Sequence, residues 1–133
     1  MDMEQIIGEI GVTVTTGPLP DGWWGSYSWR KHLIVLRPRL AGDQHRSVLA
    51  HELGHAWFRH RGTSHRNERQ ASVWAAKRLI NRQDFISAVR TSDNRAGIAH
   101  LLNVMPSDVD VYTSTLTPED KALLQVLAES DAC

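Results

Sequence analysis

Two histidines and a glutamate lie within five consecutive residues, His51-Glu52-Leu53-Gly54-His55. In a helix, positions i and i+4 lie on one face about 6 Å apart along the axis, so both imidazoles can reach a single zinc ion. Glu52 projects about 100° round the helix from His51, which lets its carboxylate reach a water on the metal without binding the metal itself. The spacing therefore predicts a metal site at His51 and His55, with Glu52 as the general base.

A catalytic zinc ion takes three protein ligands and keeps a fourth position open for water, so the two histidines need a third partner. One known extension of this motif has a glycine three residues after the second histidine and a third histidine six residues after it. Phe58 and Arg61 occupy those positions, which excludes that extension. The remaining candidates for the third ligand are His60, His65 and Glu68.

The helix predicted to follow the motif favours Glu68 as the third ligand. Glu68 falls in its first turn and faces the same way as Ala71, one turn later. If Ala71 and Ala75 let this helix pack closely on the first, the carboxylate faces the two histidines. We interpret His60 and His65, at a helix end and in a polar loop, as solvated or hydrogen-bonded surface residues. The other three histidines are interpreted as structural: His32, His45 and His100. One histidine or Tyr27 is a candidate donor of a hydrogen bond to an oxyanion.

Residues 51–56, together with 68–71 and 74–80, resemble the ImmA/IrrE family of zinc metallopeptidases. The pattern of that family is H-E-x-G-H, then E-x-x-A, then an apolar-Ala-x-x-Leu-Leu tail, and the resemblance covers residues 20–80. The combination is more specific than the five-residue motif, which many zinc peptidases share. The resemblance implies one zinc ion per chain and assigns four residues: the ligands His51, His55 and Glu68, and the catalytic base Glu52.

The resemblance also implies a biological role. Members are often small bacterial or phage proteins encoded beside a helix-turn-helix repressor, which they cleave to relieve repression. The expected chemistry is hydrolysis of a peptide bond: zinc lowers the pKa of a bound water to about 7, and Glu52 passes the proton it takes from that water to the leaving amine. An alternative is a zinc-containing anti-repressor that binds the repressor without cutting it.

The elements that must position these residues are predicted from hydrophobic spacing and turn signals. We expect an α+β fold, a small zincin-like domain with a short N-terminal β-sheet, the motif helix, a helix with the third ligand, and a helical C-terminal segment. The chain is expected to form a single domain over residues 1–133, with a core of about 10–90 and a helical hairpin of about 95–130 packed on it. The predicted strands are 12–16, 23–29 and 32–36, and the predicted helices are 43–60, 64–81, 84–90, 95–103, 106–113 and 118–129.

Three tryptophans lie in or beside the second predicted strand: Trp23, Trp24 and Trp29. An extended substrate can add to an exposed sheet edge through main-chain hydrogen bonds, and this aromatic strand is a candidate for that edge. The alternative is that the three tryptophans belong to the core.

Residues 98–109 are similar to a helix-turn-helix that binds DNA, which gives a competing function. The small residue, the turn and the apolar contacts of that motif fall at Ala99, Asn103, Val104 and Val109. The second helix, however, carries Asp108 and Asp110 and no Lys or Arg, and residues 96–133 have a net charge of −5. Because phosphate binding needs positive charge, we expect no direct DNA binding, and we interpret the segment as a packing hairpin or as a docking surface for a protein.

Charge is unevenly distributed although the net charge is zero. Residues 1–29 carry −4 and residues 30–95 carry +9. Four arginines that flank the expected zinc cleft are candidates for docking an acidic or helix-turn-helix regulatory protein: Arg59, Arg61, Arg66 and Arg69. The alternative is that they only solvate a loop or pair with the acidic ends of the chain.

Composition limits the class of protein. The 133 residues are 41% hydrophobic and 23% charged, which is typical of globular domains and excludes disordered and fibrous chains. The longest aliphatic run, 33–36, is too short to span a membrane, and the acidic residues at the start are unlike a secretory signal. A single cysteine, Cys133, fits a reducing compartment. We therefore expect a cytoplasmic monomer that does not associate with membranes.

Overall fold

The computed structural model describes residues 2–130, and Cys133 lies outside them. The described chain has an α+β fold with a three-stranded sheet and seven helices, which confirms the predicted fold class. No helix within it is long and apolar enough to cross a membrane. The elements in chain order are α1 Met3–Ile10, β1 Thr13–Thr16, β2 Gly25–Ser28, β3 Leu33–Leu36, α2 Gly42–Phe58, α3 His65–Leu79, α4 Arg82–Thr91, α5 Arg95–Leu102, α6 Pro106–Ser114 and α7 Pro118–Ser130.

The sheet is mixed, with β3 in the centre. Strand β1 pairs with β3 in parallel and β2 pairs with β3 antiparallel, so the strand order is β1-β3-β2. Ile34 and Leu36 of the central strand are buried. Strand β2 is therefore an edge strand, as the aromatic segment was expected to be, although it is shorter than predicted. Trp23 and Trp24 precede it with 53% and 43% of their surface exposed, so the interpretation of these two as core residues is wrong.

Helix α2 covers the sheet and carries the motif. It contacts α1, β2 and β3, and its buried positions include Leu53. Helix α1 was not predicted. The side chain of Asp2 accepts a hydrogen bond from the backbone N–H of Gln5 at its start, and Gly11 ends it in the left-handed conformation with a φ of 68°. Its one buried residue, Ile6, joins the core with Ile34 and Leu53.

Helices α2 and α3 approach each other closely at Gly54 and Ala71. A Cβ atom added at Gly54 would lie 2.7 Å from the carbonyl oxygen of Ala71 and 2.9 Å from its Cα, so only glycine permits this approach. Ala71 and Ala75 are buried, which confirms the predicted role of small residues in α3. One turn later, the rings of Trp57 and Trp74 pack at 5.7 Å, while Trp57 remains 41% exposed.

The chain divides into two compact units, one ending at Ala75 and the other starting at Ala76. In the second unit, α4 contacts α5 and α7, and α5 contacts α6. Phe85 and Tyr112 pack with their rings 4.8 Å apart. The expectation of a single domain with a C-terminal hairpin packed on its core stays a prediction.

Helices α5 and α6 form the hairpin that resembles a helix-turn-helix. Asn103 ends α5 in the left-handed conformation with a φ of 56°, and Val104 and Val109 are buried. Asp110 of α6 pairs with Arg95 of α5, with the Nη2 and Oδ2 atoms 2.7 Å apart. One acidic group of the second helix is therefore held by a cation of the first.

Candidate metal centre

Three side chains from α2 and α3 converge on one point. The Nε2 atoms of His51 and His55 are 3.2 Å apart. One carboxylate oxygen of Glu68 lies 3.0 Å from Nε2 of His51, and the other lies 3.0 Å from Nε2 of His55. Among the described residues, these three form a group of potential ligands whose donor atoms all lie within 4.8 Å of one another.

The donor set and its spacing fit a metal ion. Four ligands placed tetrahedrally around zinc at 2.0–2.1 Å lie about 3.3 Å from one another, close to the separations of these donor atoms. Two imidazoles and one carboxylate suit zinc and several other divalent transition metals. The structure therefore supports a metal site, and the identity of the metal stays a prediction.

Local sequence explains why the three ligands meet. His51 and His55 are one turn apart on α2 and so share a face. The hydroxyl of Ser64 accepts a hydrogen bond from the backbone N–H of Asn67 and caps the start of α3. Glu68 follows in the first turn, one turn before the point where Ala71 touches α2. The close approach of the helices is what brings its carboxylate to the histidines.

Glu52 lies beside this group in a buried position. Only 7% of its surface is exposed, and burial raises its pKa from 4.5 to about 7, with a smaller contribution in the same direction from the charge of Glu68. A Cβ atom added at Gly25 of the edge strand would lie 2.9 Å from Cγ of Glu52. Glu52 is thus packed against β2, in a setting that suits an acid or base working near neutral pH.

The surroundings of the two histidines differ: His51 has a hydroxyl neighbour, and His55 is buried. The hydroxyl of Ser72 lies 3.3 Å from Nδ1 of His51. The pKa of His55 is lowered to about 4, mainly by burial and next by the charge of the nearby His51. His55 is therefore neutral at physiological pH, and the neutral imidazole is the form that binds a metal.

The structure corrects the interpretation of His60. It is 9% exposed rather than on the surface, because Arg59 ends α2 in the left-handed conformation with a φ of 50° and turns the chain back toward the helix. Nδ1 of His60 lies 2.9 Å from Nδ1 of His55, and its Nε2 lies 2.7 Å from Oε1 of Gln70. The apolar spacing predicts a motif helix that runs to residue 60, whereas the helix ends at Phe58 and the chain reverses at Arg59.

The remaining histidines lie outside this group. His45, His65 and His100 are exposed. Nε2 of His32 lies 2.8 Å from the carbonyl oxygen of Ile10, and its Nδ1 lies 2.7 Å from the hydroxyl of Tyr27. His32 therefore connects α1 to the sheet, and the Tyr27 hydroxyl is engaged in this contact.

The four arginines considered for docking are exposed: two lie in the connection between α2 and α3, and two lie in the first part of α3. The guanidinium of Arg61 stacks over Trp29, with Cζ 4.4 Å from the ring centroid. Arg61 is thus held against Trp29, the residue that follows strand β2. Its role in docking stays a prediction.

A family model, described as the IrrE N-terminal-like domain of the peptidase family M78, matches residues 8–111. No curated protein and no solved structure matches the chain significantly. The matched residues include the sheet, the motif helix and all three potential ligands. Because the match covers most of the sequence, the chain belongs to the IrrE N-terminal-like peptidase family, which confirms the resemblance found in the sequence.

Proposed function

We propose that this member of the IrrE N-terminal-like peptidase family is a zinc-dependent endopeptidase that cleaves a regulatory protein. The observation that carries the proposal is the convergence of His51, His55 and Glu68 beside a buried carboxylate, Glu52. Two imidazoles and one carboxylate are a ligand set found in zinc peptidases. Hydrolysis of a peptide bond also needs a general base beside the metal, and a pKa raised to about 7 suits Glu52 to that role.

His51, His55 and Glu68 would hold the ion, which when bound activates a water and polarises the carbonyl of the substrate. Glu52 accepts a proton at its carboxylate as the water attacks. It then returns this proton to the nitrogen of the leaving amine, because the peptide nitrogen leaves readily only when it is protonated. The contact with Gly25 keeps the Glu52 side chain in place between α2 and the edge strand.

The substrate is proposed to bind in an extended conformation along β2. This strand is at the edge of the sheet, where backbone groups are available for pairing with another strand. Gly25 of β2 touches Glu52, so a peptide along this edge would pass close to the base. Trp23 and Trp24 stand exposed just before the strand and offer apolar surface for substrate side chains.

The regulatory protein is proposed to be a helix-turn-helix repressor, the substrate that the family resemblance implies. Docking is proposed to use the exposed positive charge of Arg59, Arg61, Arg66 and Arg69. Positive charge beside the site raises the encounter rate with an acidic segment. The proposed consequence of cleavage is relief of repression.

Co-expression tests the proposal in cells. The protein or its Glu52→Gln variant is expressed with a candidate helix-turn-helix repressor from the same genome, and the repressor is followed by immunoblot together with a reporter under its control. We expect the wild type to shorten the repressor and activate the reporter, and the variant to do neither. Reporter activation by Glu52→Gln with an intact repressor would contradict cleavage and support an anti-repressor that acts by binding.

A further inference from the structure

A chain of side-chain contacts runs from the candidate metal centre to the surface of α3. Nδ1 of His55 meets Nδ1 of His60 at 2.9 Å, and Nε2 of His60 meets Oε1 of Gln70 at 2.7 Å. His55 and His60 are both buried, while Gln70 is exposed. Neither contact uses an atom that would bind the metal, because His55 presents its Nε2, and not its Nδ1, to Glu68.

His60 is held in this position from several sides. Its backbone N–H donates to the carbonyl oxygen of His55 at 3.0 Å. Its ring stacks on Phe58, with the centroids 5.4 Å apart and the planes inclined by 16°. It meets the ring of His55 edge to face, with centroids 5.1 Å apart. The ring of His60 is therefore a fixed partner for Nδ1 of His55.

Metal binding gives this chain of hydrogen bonds one direction. A neutral imidazole carries one proton, so a His55 that offers the lone pair of Nε2 to a metal must carry its proton on Nδ1. That N–H donates to Nδ1 of His60, which must then be unprotonated. His60 therefore carries its proton on Nε2 and donates it to the amide oxygen of Gln70, which accepts. The opposite direction would place a proton on Nε2 of His55 and block the metal.

We infer that His60 and Gln70 are positioning residues that hold His55 with its Nε2 lone pair turned toward the metal site, an inference that rests on the proposed function. Ligand histidines usually donate their second N–H to an oxygen, and this contact fixes the ring and strengthens the ligand. Here the acceptor is the nitrogen of a second histidine, whose own proton is fixed by an amide oxygen. The role of Gln70 is to set the direction of both hydrogen bonds.

Zinc affinity of the full chain, measured by competition with a chromophoric chelator, tests the inference. Gln70→Leu removes the acceptor and His60→Phe removes both hydrogen bonds, and each is expected to weaken zinc binding by about 10- to 100-fold. Gln70→Glu keeps an oxygen that accepts, so it is expected to retain affinity at or above that of the wild type. His65→Phe is the matched control, because His65 is exposed and outside the chain of contacts.

A second readout separates positioning from a general loss of packing. In the zinc-loaded wild type labelled with ¹⁵N-histidine, we expect His55 to carry its proton on Nδ1 and His60 to carry its proton on Nε2. Gln70→Leu is expected to lose the fixed proton position of His60 while Gln70→Glu keeps it. A His60 protonated on Nδ1 in the zinc-loaded wild type would overturn the inference.

The outcomes distinguish this inference from the function on which it rests. If Gln70→Leu and His60→Phe bind zinc as tightly as the wild type does, the positioning role is overturned and the proposed function is left intact. A wild type that binds no zinc would overturn the proposed function first and the positioning role with it.

Discussion

At Glu52, burial and the negative charge of Glu68 act in the same direction and raise the pKa to about 7. The folded chain therefore holds this proton more tightly than the unfolded chain, in which the pKa is near the ordinary value of 4.5. Ionisation then favours the unfolded state, so the stability of the metal-free protein falls as pH rises through the window from 4.5 to about 7. The group that is proposed to move the proton is thus a source of instability.

The Glu52→Gln variant should remove this instability, because an amide has no charge to bury. With metal removed by a chelator, we expect the variant to be more stable than the wild type by on the order of 2 kcal/mol at about pH 8, and the difference to shrink toward pH 5. Urea unfolding at both pH values measures this. Glu9→Gln, at an exposed position, is the control and should change little. Equal stability of Glu52→Gln and wild type at high pH would contradict the effect of burial.

The residues that a single helical turn relates were predictable from spacing alone. His51 and His55 share a face of any helix, and the structure turns both toward the same point. Glu68 was predictable only with the help of the small residues that bring α3 close. His60 was not, because its place beside His55 depends on the left-handed conformation of Arg59, and its other contact is with Gln70, ten residues along the chain. The sequence did not show which histidine would be a partner of another.

At the scale of elements, the contact between α2 and α3 controls the site. The third ligand comes from a different helix than the other two, so a small increase in helix separation moves Glu68 away from His51 and His55. The backbone of Ala71 fills the space beside Gly54 and leaves none for a side chain.

Gly54→Ala tests this contact. The added Cβ would overlap the backbone of Ala71, so we expect a net loss of about 1–2 kcal/mol of stability despite the better helix propensity of alanine, together with weaker zinc binding. Chemical unfolding and zinc competition measure the two effects. Gly8→Ala is the matched control, since no atom lies within 4 Å of a Cβ there, and it should stabilise the protein by about 0.5–1 kcal/mol. Unchanged stability and zinc affinity in Gly54→Ala would show that the close approach is not needed.

Most elements followed from local patterns, and the exceptions have physical reasons. The helices after β3 were predicted within a few residues because apolar spacing and turn signals marked them. Helix α1 was missed although Asp2 and Gly11 are ordinary signals for its start and end. The parallel pairing of β1 with β3 depends on contacts between distant parts of the chain, which spacing does not report.

At the scale of the whole molecule, the basic middle of the sequence carries +9 between segments of −4 and −5. If the arginines beside the site steer an acidic partner, the rate of partner cleavage should fall as salt screens the charges. Arg61→Ser and Arg66→Ser should lower the rate at low salt and reduce its salt dependence. Lys121→Ser removes the same charge from the acidic third and should leave both unchanged.

Cleavage that is insensitive to salt and to both arginine substitutions would remove the steering role.

The same preparation also tests the competing function, because sequence-specific retardation of DNA in a mobility assay would contradict the choice of peptidase over DNA-binding regulator. The identity of the partner was not predictable from the sequence, because charge and exposed surface indicate what kind of molecule can bind and do not specify a particular protein.

Hydrolysis by the zinc-loaded protein is the most direct test of whether this site is a peptidase centre. A peptide library prepared from a proteome digest is incubated with wild type or Glu52→Gln at equal zinc content, and new peptide ends are identified by mass spectrometry. We expect the wild type to generate new ends and Glu52→Gln to generate none, because the amide holds the same position and cannot accept the proton. Equal cleavage by both proteins, or none by a wild type that holds one zinc per chain, would contradict a peptidase centre in which Glu52 is the base.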